Sequence, residues 1–340
     1  MHPPTLDPTA IYRYRDTLAA VDCLAAAIVH LDLFTLLDRE PLDAAGLCRR
    51  LAIAPRPTDV MLTLCAANGL VARDAHGVLH ATPLSREFLV AGAACDARPY
   101  YASMAGRAGV DDWLRVLRTD RPANWPGAKE EADWHAAMRT EAFAAGFTAA
   151  MDCRGRVLAP AVAAALDLTG GRLLDVGGGS GVYAIACATA APALRASVLE
   201  ADPVAAIARR TVAQAGLAAR IDVASGDMFA ADWPAEHDLH LFANVLHDWD
   251  EPDCRRLLAR SVAHLPHGGR IVVVDMFLAD TKDGPSWAAE YSVLLASVTQ
   301  GRLYAVAEIA AWAADLGLAV VRRAPLPIGR GLVELARTGL

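Results

Sequence analysis

The chain has 340 residues, enough for two domains, and 54% apolar against 21% charged residues, a balance that excludes a disordered chain. Its net charge of −7 offers no basic footprint for nucleic acid and no polybasic patch for a membrane surface. The seven cysteines (Cys23, Cys48, Cys65, Cys95, Cys153, Cys187 and Cys254) form no C-x-x-C pair, which argues against a disulfide framework or structural zinc and fits a reduced cytoplasm.

The N-terminus, MHPPTLDPTA, lacks a basic stretch followed by an apolar one. The longest apolar stretch, 24–37, holds His30 and Asp32 and is too short to span a bilayer. Residues 11–37 carry Leu18, Val21, Leu24, Ile28, Leu31 and Phe34 at helical spacing. Then follow PLDAAGLCRRL (41–51), a proline-rich turn at 55–57, TDVMLTLCAANGLV (58–71) and a hairpin-like RDAHGVLHATPLS (73–85). Thr58 and Asp59 are the expected cap of the third segment, and Asn68-Gly69 its stop. Short helices and a small wing describe a winged helix-turn-helix. DNA binding needs Lys or Arg in number, yet residues 41–95 hold five arginines and four acids, and 58–68 one acid and no base. A structural or dimerisation role fits better.

Residues 96–150 read as an irregular, aromatic segment with Tyr100, Tyr101, Trp113, Trp125, Trp134, Phe143 and Phe147, which either fill a core or wall a pocket for a flat ligand. From residue 171 apolar runs alternate with amphipathic stretches. The strand candidates are RLLDVGG, RASVLEA, ARIDVASGD, DLHLFANV, RIVVVDMF, LAVVRRAPL and LVELART. The pattern predicts an α/β fold: a doubly wound, mostly parallel sheet ending in an antiparallel hairpin. The expected organisation is 1–95 helical winged-helix domain, 96–155 aromatic connector and 156–340 cofactor domain.

The strongest local signal is the strand Leu173–Val176 running into Gly177, Gly178, Gly179, Ser180 and Gly181, then a helix. The backbone there must turn tightly and admit a ligand, and the helix N-terminus offers free N–H groups. By itself the string also satisfies the dinucleotide pattern G-x-G-x-x-A. Three acids separate the readings. Asp175 precedes the glycines, where it would repel a pyrophosphate and welcome a cationic amino-acid tail. Glu200 ends the next strand, placed to accept from ribose hydroxyls. Asp227, with Met228 and Phe229, ends the third and makes an adenine site.

DVGGGSG (175–181), GDMF (226–229), NVLHDWDEPDC (244–254) and GGRIVVVD (268–275), in this order, resemble the class I S-adenosylmethionine-dependent O-methyltransferases. More narrowly, the chain is similar to the plant caffeate-type and bacterial polyketide-tailoring enzymes, which begin with a winged-helix dimerisation domain. The resemblance implies a Rossmann-like methyltransferase sheet, S-adenosylmethionine as cofactor, a homodimer, an aromatic or polyketide-like acceptor and no metal. It makes His247 of the H-D-W string the general base, with Asp275 as the carboxylate behind it. The family's second acid, a glutamate in a G-R-E-R-like turn, is replaced by Leu303 in Gly301-Arg302-Leu303-Tyr304. That departure leaves N- or C-methylation open.

The acceptor is expected at the sheet's C-terminal edge, touching Phe147, Met151, Asp248, Trp249 and, from the 287–299 segment, Leu294, Leu295 and Val298. A cofactor-sensing winged-helix regulator is the rival outside enzymology, opposed by the near-neutral wing. Asp175 and the H-D-W context oppose an NAD-dependent oxidoreductase. His237 and His240 lack a clear third partner for a metal.

Overall fold

The computed structural model describes residues 4–122, 134–169, 171–230 and 232–337, with the side chains of Trp134 and His135 outside that set. It divides into two compact units: the described parts of Met1–Ala10, Trp125–Phe277 and Val306–Leu340 in one, Ile11–Asn124 with Leu278–Ala305 in the other. Thus the 278–305 segment packs with N-terminal residues, and the Glu141–Ala165 helix with the sheet.

The first unit is built on seven strands. Numbered after the two short wing strands β1 (Val71–Arg73) and β2 (Leu79–Ala81), they are β3 (Arg172–Val176), β4 (Arg195–Glu200), β5 (Ile221–Ser225), β6 (Leu239–Ala243), β7 (Arg270–Asp275), β8 (Leu318–Pro325) and β9 (Gly331–Arg337). The order is β5-β4-β3-β6-β7-β9-β8, with β8 and β9 antiparallel and the rest parallel. All seven predicted strands form, the last two as the expected hairpin. The near-continuous burial of β3, β4, β6 and β7 explains their apolar runs: helices cover a parallel sheet, so alternation is lost. From β3 the chain moves outward to β4 and β5, then returns to β6 on β3's other side. This reversal opens a crevice at the carboxyl ends of β3 and β6.

The second unit holds the helices and the wing, where β1 and β2 pair antiparallel. The helix Pro55–Ala67 does not begin at the expected Thr58-Asp59 cap. Pro55 and Pro57 occupy its first turn, where a fixed φ suits and no N–H is needed, so it starts three residues earlier. Thr58 instead bonds back to the Ala54 carbonyl, and Asp59 pairs with Lys282 (2.9 Å) and Arg302 (3.4 Å). Asn68 and Gly69, at φ +68°, do end it. The 11–37 stretch is broken into Thr9–Asp16, Ala20–Ala25, a π turn Ala26–His30 and Leu33–Arg39, with Asp32 at φ 44° making the last break.

The segment expected to be irregular carries helices Arg98–Ala102 and Ala108–Thr119, the second burying Trp113 at 2% exposure while Tyr100 stays in solvent. Trp125 and the Trp134 side chain lie outside the described residues. No single helix among the described residues is long and apolar enough to cross a membrane.

Candidate active site

The crevice is lined first by the loop after β3. Gly177, Gly179 and Gly181 all sit at positive φ (65°, 58° and 80°), which a side chain would strain. A Cβ on Gly179 would meet nothing within 4 Å, so the loop faces open space there. On Gly177 it would fall 3.1 Å from Val245 and 3.7 Å from the Met228 sulfur, which brings the third strand's end to the loop. The Gly179 N–H donates to Glu200 Oε2 (2.9 Å), and Ala201 N–H to Oε1 (2.8 Å). Burial nonetheless pushes the Glu200 carboxyl up to about 7.

Asp175 lies beneath the loop, not beside the space above it. It is 0% exposed, its Oδ2 accepts from Ala184 N–H (3.3 Å), and its Oδ1 has no partner. Burial pushes this carboxyl up to about 7 as well. Asp227 is exposed and takes the Phe229 N–H at 2.8 Å. The Phe229 ring meets Trp249 edge-on at 4.5 Å and the Arg256 guanidinium at 5.0 Å. Trp249, expected on the acceptor side, thus stands against the residues read as the adenine site.

The second wall follows β6. Asn244 adopts φ 57°, which turns the chain into the single turn Leu246–Asp248, and the Asp250 side chain then caps the helix Glu251–His264 through Asp253 N–H. Within that turn His247 is 3% exposed, and its Nδ1 lies 2.6 Å from Asp275 Oδ1 at the end of the neighbouring β7. The same oxygen takes the Met276 N–H at 2.8 Å. A carboxylate only accepts, so the contact places a proton on Nδ1, and in the neutral imidazole Nε2 is then the basic atom. Asp248 Oδ1 stands 3.7 Å from Nε2. Burial pushes the Asp248 carboxyl up to about 6, against the pull of His247 and Arg154.

Of the other expected residues, Phe147 and Met151 are half-buried on the Glu141–Ala165 helix, Phe147 stacked on Phe143 at 6.3 Å. Leu294, Leu295 and Val298 fall in the other unit, on the helix Ser286–Val298 that packs against Pro55–Ala67. Leu303, in place of the family's glutamate, is fully buried there, with its N–H on Ser292 Oγ. His237 and His240 face Ser197 and Ser261.

Three neighbours escaped the sequence reading: Asp152, bonded to Ser180; Arg154, 8% exposed; and Tyr183, whose hydroxyl takes the Asn244 amide N–H. The spacing of Met151, Asp152 and Gly155 on one helix face was the available signal for the first.

A model of the O-methyltransferase domain matches residues 109–319, and one of the O-methyltransferase dimerisation domain matches 12–91. The chain belongs to the O-methyltransferase family. It is 34% identical to the 3-hydroxy-5-methyl-1-naphthoate 3-O-methyltransferase of Streptomyces sahachiroi over 94% of this chain and 92% of that one. It is 32% identical to the acetylserotonin O-methyltransferase of Bos taurus over 87% and 88%. Its structure superposes on the O-methyltransferase family 2 protein from Planctomyces limnophilus, crystallised with apigenin, with a TM-score of 0.89, 31% identity and coverage of 99% and 98%.

The methyl donor of this O-methyltransferase is S-adenosylmethionine, and the residues present fit it. The open space at Gly179, the Glu200 carboxylate that takes the Gly179 N–H, and Met228 beside Gly177 make a slot that is polar at one end and apolar at the other. N- or C-methylation, the regulator and the NAD enzyme are not favoured by these findings.

Proposed function

We propose that the protein methylates a phenolic hydroxyl on an aromatic or polyketide-derived small molecule, with His247 as general base. One observation carries this reading: the buried His247–Asp275 pair, which fixes the ring so that Nε2 is the basic atom. S-adenosylmethionine supplies the methyl group on a sulfonium centre, and the rest falls to the chain. A phenol with pKa near 10 is mostly neutral at pH 7, so a base must take its proton as the carbon–oxygen bond forms. His247 Nε2 takes that proton, and Asp275 stabilises the imidazolium that results. The loss of the second family acid at Leu303 leaves Asp275 with the orienting role.

For the cofactor we assign the backbone of Gly177, Gly179 and Gly181 to the approach, Glu200 to the ribose, and Asp227 with Met228 and Phe229 to the adenine. Trp249 against Phe229 joins that group. To the acceptor we assign Asp248 beside the base, Phe147 and Met151 on the Glu141–Ala165 helix, and, as candidates in the other unit, Leu294, Leu295 and Val298. We assign dimerisation to residues 1–95, acceptor lining to 96–155 and cofactor binding to 156–340. An acidic chain without a basic patch fits a cytoplasmic homodimer that engages neither nucleic acid nor membrane.

Incubation with S-adenosylmethionine and a panel of phenols and amines, read by mass spectrometry, tests the reading. Methyl gain on phenols that His247→Ala largely abolishes supports it. Transfer to amines only, untouched by that substitution, overturns it.

A further inference from the structure

The sequence points to Asp175 as the acid that welcomes the cofactor's cationic tail, yet the structure gives Asp175 no surface with which to do so. It is 0% exposed, and a Cβ on Gly178 would fall 2.7 Å from its carboxyl carbon, so the loop backbone rests directly on it. Its Oδ2 is held by Ala184 N–H, which makes it a support of the loop and of the helix behind it. A cation above the loop meets backbone before it meets this carboxylate.

Another acid reaches the loop from the helix packed against it. Ser180, inside the glycine loop and 1% exposed, donates its hydroxyl to Asp152 Oδ1 at 2.5 Å. Asp152 lies on the Glu141–Ala165 helix beside Met151. Farther along that helix Gly155 allows a close approach: a Cβ there would lie 2.6 Å from Val182 Cγ1, at the first residue after the loop. Helix and loop are therefore in contact, with Asp152 at the seam. Asp152 is half-buried, and among the described residues no hydrogen bond reaches its Oδ2. A half-buried carboxylate with one oxygen fixed and the other open is pre-organised to accept from an ammonium group.

We propose that Asp152, held in place by Ser180, receives the α-ammonium group of the cofactor's amino-acid tail and so selects ligands that carry it. The proposal rests on the glycine loop being the cofactor site, and its test separates the two. Calorimetry would compare S-adenosylhomocysteine with 5′-methylthioadenosine, which shares the adenosine thioether but has no amino-acid tail. Decarboxylated S-adenosylhomocysteine, which keeps the amine, serves as a third ligand.

Asp152→Asn retains an acceptor for Ser180 and loses the charge. It should weaken both amine-bearing ligands by about tenfold to a hundredfold, the range of a charge-assisted hydrogen bond, and leave 5′-methylthioadenosine within about twofold. Asp152→Glu keeps the charge and should retain the preference for the tail. Ser180→Ala should give a smaller loss confined to the same two ligands. If Asp152→Asn binds all three as the wild type does, or weakens all three equally, the proposal is overturned while the cofactor site stands. A wild-type protein that binds none of them overturns both.

Discussion

A histidine that must remove a phenolic proton is most useful when its basic nitrogen is chosen in advance, and the Asp275 contact makes that choice for His247. His247→Ala should lower kcat on the order of 10²–10⁴-fold while cofactor affinity stays within a few-fold, since the role we propose for the ring is toward the acceptor. The loss should shrink for acceptors whose hydroxyl is already ionised at the working pH. Asp275→Asn should cost less, by disturbing the tautomer. A loss that does not vary across acceptors of graded pKa would refute the base assignment. At Gly179, φ +58° and the open space ahead of the missing Cβ make Gly179→Val both strained and obstructive. Cofactor binding followed by calorimetry should vanish.

Asp175 and Glu200 make a third prediction, because burial pushes both carboxyls up to about 7. In the unfolded chain they ionise near 4, so over the window between about 4 and 7 the folded protein holds protons that the unfolded chain has released. Stability of the ligand-free protein then falls as pH rises through that window and levels off above it. Thermal melts from about pH 5 to 8 should show this slope, and Asp175→Asn should flatten it. Most of these residues were legible in the sequence because acids beside glycines at strand ends form a linear pattern. Asp152 was not: its partner Ser180 is 28 positions away, and only the helix–loop contact brings them together.

Among the elements, apolar runs identified every strand of the large sheet, because burial on both faces leaves that mark directly in the sequence. Helix starts were less legible. Pro55 and Pro57 look like a turn in the sequence and act as a first helical turn in the fold, since proline satisfies both. The terminal hairpin carries a device that the sequence did not show. Glu334 on β9, 5% exposed, receives Arg270 from β7 at 2.9 Å and lies 3.9 Å from Arg322 on β8. It ties the hairpin's two strands to the parallel sheet. Arg270 is partly exposed, which tempers the cost of stranding it. Glu334→Ala should therefore destabilise the protein by about 1–3 kcal/mol in denaturant titrations and leave the cofactor dissociation constant unchanged. An unchanged midpoint would show that water replaces the contact at no cost.

For the molecule as a whole, the exposed apolar surface of the N-terminal stretch lies at its beginning. Of the apolar residues at helical spacing there, Ile28 and Phe34 are 2% and 1% exposed, consumed by their own unit. What remains outside is Ile11, Tyr14, Leu18 and Val21, at 75%, 84%, 73% and 53% exposure. Ile11 and Tyr14 lie three apart on the helix Thr9–Asp16, Leu18 in the turn that follows it and Val21 on the helix Ala20–Ala25. An exposed apolar stretch of this kind marks an interaction surface, and the match of 12–91 to a dimerisation domain makes a second copy the expected occupant. A two-fold axis presents the same patch from both chains, so each substitution acts twice. Burying one such side chain contributes about 1.5–3 kcal/mol, and Leu18→Glu therefore removes about 3–6 kcal/mol from the dimer before any cost of burying the new charge. Light scattering on the wild type at micromolar concentration should give twice the chain mass of 35.9 kDa. Leu18→Glu should shift the distribution toward the single-chain mass or, if the monomer is unstable, lower the melting temperature in a concentration-dependent way. A wild-type protein that is monomeric under these conditions would refute the assignment, because four exposed apolar side chains would then have no covering partner.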